Sequence, residues 1–389
     1  MLKYARQEHL VKLNDTLFMR YLSLILTLLL LSSVLNCQVP ENDWPVFRGN
    51  SDLSGNTDHE ITNNPSYLWS LPTDGRTKSS PVVSDGIIYF GNDQGTLYAV
   101  SEEGKILWRF QTGSPIEAPP LVFGDKVFIG SFDGVLHAVN KKTGRSEWTY
   151  ATENQIIGSG NSWISGRYAG IIVGSYDYYL HCINPESGKL LWKIETLNYV
   201  NGTPAVAYNK IIFGGCDGIM RLTDPRTGIQ RDTFNIGTYI AASPAVVNNV
   251  AFFGDYDGAF YCLDINSGKM LWYIPMEEMG GSILGIPAVG HNAAIIGNED
   301  KYLYCYNATN GRLLWKYRTN GRVIGSAVVT PTKVLFGSMD SNIYLLGLTN
   351  GKKIWNFNAG APISSSPAVT QGRFYLLTEE GRLLAFGIK

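Results

Sequence analysis

GNDQGTLYAV, residues 91–100, is the stretch on which the reading of this chain turns, because close variants of it return along the sequence. They are GSFDGVLHAV from Gly130, GSYDYYLHCI from Gly174, GGCDGIMRLT from Gly214, GDYDGAFYCL from Gly254, GNEDKYLYCY from Gly297 and GSMDSNIYLL from Gly337, with a degenerate copy, LTEEGRLLAF, from Leu377. The steps are 39, 44, 40, 40, 43, 40 and 40 residues. A second marker follows most copies: a glycine turn, then tryptophan, at Trp108, Trp148, Trp192, Trp272, Trp315 and Trp355. In the fourth copy Asp232 takes the tryptophan place. A third marker opens the units: SSPVV at Ser79, GTPAV at Gly202, ASPAV at Ala242, GIPAV at Gly285 and SSPAV at Ser365.

Between the markers, short runs alternate apolar and polar residues and are rich in β-branched and aromatic side chains, the pattern of strands. Each unit reads as four strands, such as PVV, IIYFG, TLYAV and KILWRF, joined by tight turns containing Asp-Gly, Thr-Gly or Ser-Gly. Four strands every 40 residues or so make a propeller blade. The last unit, from SSPAV to LLAFGIK, holds three strands, and SYLWSLP near the other end supplies a fourth, with Trp69 39 residues before Trp108. The spacing therefore predicts an all-β fold: an eight-bladed β-propeller of four-stranded antiparallel blades, the last blade closed by the N-terminal strand. Such closure removes an exposed sheet edge.

The 389-residue composition agrees, with 42 Gly, 22 Tyr and 9 Trp. Charge is balanced, 32 basic against 33 acidic residues, so there is no electrostatic footprint for nucleic acid. No HExxH, GxSxG or phosphate-loop pattern occurs, so no catalytic residue is assigned. The five cysteines form no CxxC pair.

The recurrence weakens most tempting sites. Asp133, Asp177, Asp217, Asp257, Asp300 and Asp340 share one turn position, where a carboxylate caps the turn. Cys182, Cys262 and Cys305 stand where other copies carry Ala99, Ala138 and Ala385, and read as small core residues. His137 and His181 stand where other copies carry Tyr98, Tyr261, Tyr304 and Tyr344, and read as packing residues rather than metal ligands. The tryptophans read as wedges between neighbouring blades.

Residues 21–35, YLSLILTLLLLSSVL, are apolar but shorter than the roughly 20 residues a spanning helix needs. With Arg20 before them they fit the core of a signal peptide. That signal would start at Met19, leaving residues 1–18 as an upstream extension. It ends at VLNC, and Cys37 before Gln38 is similar to a bacterial lipobox, in which the cysteine is lipidated; Asn36 departs from the usual small residue. The expected organisation is a signal peptide over 1–37, a linker over 38–65 and the propeller over 66–389.

The unit PAV–(I/V)(Y/F)FG–xxDGxLYA(L/V)–(T/S)GKxLW resembles the pyrroloquinoline-quinone-like propeller repeat, and DWPVFRGN, 43–50, resembles the N-terminal signature of its exported members. Two branches of that family matter. One, the outer-membrane assembly lipoproteins, implies a non-enzymatic monomeric scaffold without cofactor. Such a scaffold is anchored through its lipid in the outer membrane, facing the periplasm, and binds components of the β-barrel assembly machinery. The other, the quinoprotein dehydrogenases, implies a quinone and Ca²⁺ in the central funnel, but this chain lacks the adjacent cysteine pair and any assignable calcium ligands. A surface lipoprotein that binds an external ligand is the remaining alternative. The first reading is preferred.

Function is then sought in what does not repeat. Alternate residues before the Ser-Pro and Thr-Pro positions should face the channel or its rim: Arg76, Lys78, Glu117, Tyr199, Asn201, Tyr239 and Arg322. Two connections are lengthened. One is 156–170, with Trp163; the other is 276–285, with Glu277 and Glu278. Both are candidate contact loops.

Overall fold

The computed structural model describes residues 43–240 and 242–388. Residues 1–42, and with them the signal sequence and Cys37, lie outside the described residues. Within them the repeats form eight four-stranded antiparallel sheets, and the strand order in seven of these follows the chain. Numbered along the chain, blade 1 spans 82–111, blade 2 121–151, blade 3 161–195, blade 4 205–235, blade 5 245–274, blade 6 288–318 and blade 7 328–358. Blade 8 combines Ala368–Thr370, Arg373–Thr378 and Arg382–Gly387 with the N-terminal strand Ser66–Pro72, which pairs antiparallel along Arg382–Gly387. The closure expected from Trp69 is therefore the one observed.

The turn between the second and third strands explains the repeated Asp. In four blades its carboxylate accepts the backbone N–H two residues on: Asp177 from Tyr179, Asp217 from Ile219, Asp300 from Tyr302 and Asp340 from Asn342. The expectation fails at the other two: in blade 5 it is Asp255, not Asp257, that caps the turn, accepting from Gly258 and Ala259, and Asp133 accepts from Ser131 Oγ. The residue in between adopts a left-handed conformation, which glycine takes without penalty. Gly95 and Gly134 do so with φ of 76° and 80°, but Tyr178, Lys301 and Ser341 hold the same place with φ of 73°, 74° and 70°. The third strand then carries a polar partner for the acid. His181, Arg221, Tyr304 and Tyr344 bond to Asp177, Asp217, Asp300 and Asp340 respectively. His137 is instead beside Ser131 and edge-on to Phe110, and burial, opposed by Asp133, pushes its pKa down.

Neighbouring blades are joined by the tryptophans. The Trp69 indole N–H donates to the Glu102 carbonyl, Trp108 to Lys141, Trp148 to Pro185, Trp192 to Pro225, Trp272 to Ala308 and Trp315 to Leu348. Each ring covers a glycine of the next blade's outer turn, from Gly104 under Trp69 to Gly351 under Trp315, at spacings no side chain could share. Opposite the ring, across the strand pair, lies a small residue: Ala99 faces Trp108, Cys182 faces Trp192, Cys262 faces Trp272 and Cys305 faces Trp315. These three cysteines are free and buried, and burial pushes their thiols up to about 12.

At the axis, the free edges of the inner strands would leave backbone donors unpaired. The segment 44–57, within the stretch given above as a linker, meets them. Val122 N–H donates to the Pro45 carbonyl, Val206 to Ser51, Val246 to Asp52, Val289 to Ser54 and Val329 to Gly55, while Trp44 and Val83 exchange both bonds. Blade 3 joins through the Asn161 side chain, whose amide donates to Ser51 and to Pro204. This strap thus touches seven blades in turn. It is held further by Glu60, paired with Lys333 at 2.8 Å. Arg48 is buried within it, with Nε and Nη1 unpartnered, and burial, opposed by Asp52, lowers its guanidinium to about 9.

Candidate functional site

The strap closes one end of the axis, and the other end opens into a cavity of about 220 Å³ with Phe47 of the strap among its lining residues. Its wall is built from the residues that precede each inner strand. One level is mostly small hydroxyls: Ser80, Ser159, Thr203, Ser243, Ser326 and Ser366. Several of these tie the ring together: Ile286 N–H donates to Ser326 Oγ, Ser326 N–H to Ser366 Oγ, and Ser366 N–H to Ser80 Oγ across the closure. The next level outward varies from blade to blade: Lys78, Glu117, Ile157, Asn201, Leu284, Ile324 and Ser364.

The channel reading of the sequence divides accordingly. Lys78, Glu117 and Asn201 line the cavity. Lys78 Nζ and Glu117 Oε1 are paired at 2.8 Å, and Asn201 Oδ1 and Ser364 Oγ are buried without a hydrogen-bond partner. Arg76, Tyr199, Tyr239 and Arg322 sit two residues farther out, on the rim, where their carbonyls accept the N–H of Asp93, Cys216, Tyr256 and Met339. Backbone therefore fixes the rim identically in every blade, and side chains alone distinguish its sectors.

Those sectors differ sharply. Blades 6 to 8 and blade 1 present charge: Arg322 pairs with Glu299 at 2.7 Å, and Arg76 approaches Glu379 at 4.0 Å. Blades 3 to 5 present aromatic rings. Tyr176 and Tyr199 stack with centroids 4.4 Å apart, Tyr178 lies 5.3 Å from Tyr199, and Tyr239 and Tyr256 are each more than half exposed. Leu197, 78% exposed, adjoins this arc on the same connection as Tyr199. Sequence reasoning found Tyr199 and Tyr239 but passed over Tyr176, Tyr178, Tyr256 and Leu197. Aligning the second residue of the turn across blades (Asp93, Phe132, Tyr176, Cys216, Tyr256, Glu299, Met339, Glu379) would have exposed the asymmetry.

The two long connections part company. Trp163, expected in a contact loop, is instead in the inner strand Asn161–Ser165, 5% exposed, with its indole N–H toward Cys182 Sγ at 3.4 Å. It fills the space left by Gly170 on the paired strand. Glu277 and Glu278 are exposed on a one-turn helix, α1 (Met276–Met279), whose last carbonyl accepts from Asn298 and Tyr304 of blade 6.

Among the described residues, no three His, Cys, Asp or Glu side chains converge as metal ligands. Glu117 is the single acid lining the cavity, and Lys78 already neutralises it. That donor set does not fit a calcium ion with a quinone.

Fold and rim together define an eight-bladed propeller with a one-ended axial cavity. The chain matches the family model described as outer membrane protein assembly factor BamB over residues 61–173, 168–231 and 217–389, and it belongs to that family. Among solved structures it is similar to BamB from Moraxella catarrhalis, at 19% identity over 84% of this chain and 100% of that one, with a TM-score of 0.72. It is also similar to the quinohemoprotein alcohol dehydrogenase from Comamonas testosteroni, at 12% identity over 91% and 81% of the two chains, with a TM-score of 0.78. A europium-containing methanol dehydrogenase gives 12% identity, 90% and 98% coverage and a TM-score of 0.76. At these identities the likeness is one of fold. No curated protein matches the sequence.

Proposed function

We propose that this protein is an exported scaffold, lipid-anchored through Cys37 in the outer membrane, that binds a protein component of the β-barrel assembly machinery. The observation that carries the binding role is the aromatic arc of blades 3 to 5, with Tyr176, Tyr199, Tyr239 and Tyr256 on a backbone-fixed rim. Rigid tyrosines present large contact area at little cost in side-chain entropy, and aromatic residues are enriched in the cores of interfaces. The family description, an assembly factor of the outer membrane, supports the choice of partner.

The test is site-specific photocrosslinking in intact membranes, with the photoreactive residue at Tyr199 or Tyr239 and, as control, at Arg76. Adducts with an outer-membrane β-barrel protein from the tyrosine sites, and none from Arg76, are expected. Equal adducts from all three sites, or none, would overturn the docking role. Labelling with a palmitate analogue, lost in Cys37→Ser, tests the anchor separately.

A further inference from the structure

The near-neutral balance of the chain hides a strong polarity along the propeller axis. The turns between second and third strands, and the connections from each fourth strand to the next blade, emerge at the end where the cavity opens. They hold sixteen Asp and Glu, eleven in the turns and five in the connections, against four Lys and Arg. The turns at the strap's end hold six acidic against ten basic residues. The polarity is steepest at the aromatic arc. Between residues 152 and 287 the rim segments carry no Lys or Arg at all, and the four rim cations, Arg76, Lys78, Lys301 and Arg322, stand in other sectors. Three of these are matched locally, by Glu379, Glu117 and Glu299.

Within the arc Asp217 is matched by Arg221 and Asp177 by His181, but Glu153, Asp257, Glu277 and Glu278 are exposed and have no ion-pair partner among the described residues. The two connections that lie between Glu153 and Asp257, 196–204 and 236–244, are uncharged and hold Leu197, Tyr199 and Tyr239. An apolar strip thus runs between acidic ends. Its carboxylates are not arranged as ligands for a single cation, since no three acidic side chains converge among the described residues. They act instead as a field over an extended surface. The tyrosines add to it, because the face of an aromatic ring attracts a guanidinium or an ammonium group.

We infer that the arc docks a basic protein surface, one with an apolar contact for Leu197, Tyr199 and Tyr239 and with Lys or Arg bordering that contact on both sides. The anionic rim steers the encounter, so charge sets the association rate and salt lowers it, while the tyrosines hold the complex once formed. This rests on the binding role proposed above for the arc and adds the charge of the partner.

The full chain with a photoreactive residue at Tyr199, incubated with detergent-solubilised membranes, tests this through the initial rate of adduct formation. Raising NaCl from about 0.01 M to about 0.15 M, where the Debye length falls from about 30 to about 8 Å, should slow adducts about tenfold. The combined change Glu153→Gln, Asp257→Asn, Glu277→Gln, Glu278→Gln should slow them about fivefold or more at low salt and flatten the salt dependence. Neutralising the opposite face with Lys142→Gln, Lys189→Gln, Lys269→Gln and Lys352→Gln should leave the rate within about twofold. Thermal midpoints of both variants separate a charge effect from a folding defect, and the wild-type salt dependence needs no variant. Adducts from Tyr199 that ignore both salt and the acidic neutralisations would overturn the basic partner and leave the docking role of the arc standing. No adduct under any condition would overturn that role, and this inference with it.

Discussion

Phe234 lies against Gly268, and so replaces, from a position two residues farther along the strand, the tryptophan that blade 4 lacks. At six other junctions a tryptophan covers the equivalent glycine. Asp232, at the tryptophan place, is exposed. Phe234→Ala should therefore cost about 2–3 kcal/mol, as large-to-small changes at packed aromatics do. Asp232→Ala should change stability by less than about 0.5 kcal/mol. Urea unfolding of the two variants measures both.

Ring closure gives a second expectation. Trp69 and the pairing of Ser66–Pro72 with Arg382–Gly387 hold blade 8 shut. Trp69→Ala should lose about 3–5 kcal/mol and lower the thermal midpoint. Removing residues 1–72 should leave a sheet edge bare and produce aggregation visible by light scattering. A soluble, cooperatively melting truncation would contradict this.

The left-handed turn residues make a third. Tyr178, Lys301 and Ser341 hold a conformation that costs a side-chain-bearing residue about 1 kcal/mol. Each should gain roughly 0.5–1 kcal/mol on replacement by glycine, additively across the separate blades. Calorimetry of the triple variant should show the midpoint rising.

Acid sensitivity follows from the turn aspartates. Burial opposes the ionisation of Asp177, Asp217 and Asp340, but bonds from His181, Arg221 and Tyr344, with backbone N–H groups, outweigh it and hold all three below the usual 3.8. A depressed carboxyl contributes stability that is full above its unfolded value and lost as pH falls through the folded one. His137, lowered by burial, is likewise stabilising above its unfolded value of 6.5 and loses that contribution as pH falls. Unfolding midpoints should thus decline in two stages, gently below pH 6.5 and steeply below 3.8. His137→Phe should remove the first stage, and Asp340→Asn should make the second shallower.

At the arc, Tyr199→Ala should weaken partner binding about tenfold or more, as loss of a central aromatic anchor does, with little effect on folding. Arg76→Ala should leave affinity within about twofold. Co-purification yields from crosslinked membranes, compared between the two, check the difference.

The blades, their number and the shared eighth sheet were legible because repetition multiplies a weak strand signal eight times. The roles of Asp177 and Cys182 followed from what stands at equivalent places, whereas His181, read as a packing residue, is instead the polar partner of Asp177, as Tyr304 and Tyr344 are of their own aspartates. The strap was not legible, since it works through main-chain carbonyls, which leave no side-chain periodicity. DWPVFRGN was noticed as a motif, not as a span across the axis. Phe234 was missed because substitution was sought at one fixed place, whereas a ring can reach the same glycine from two residues away. Trp163 was misplaced because an inserted aromatic was read as loop decoration, when Gly170 opposite had made room for it. Of the rim, single residues were found, but the sector that groups them emerges from comparing turns that face one another.

The strap also sets an order of events during synthesis. Ser51 is made long before Val206, and Gly55 long before Val329, yet these pairs bond to each other. Thr73 waits for Gly381, and Ser80 for Ser366. Trp44 and Pro45 can pair early with Val83 and Val122, but the strap from Ser51 onward and the closing strand stay unpartnered until the later blades are made, so the centre is unfinished until nearly the full length is available. Pairings so distant in sequence slow folding.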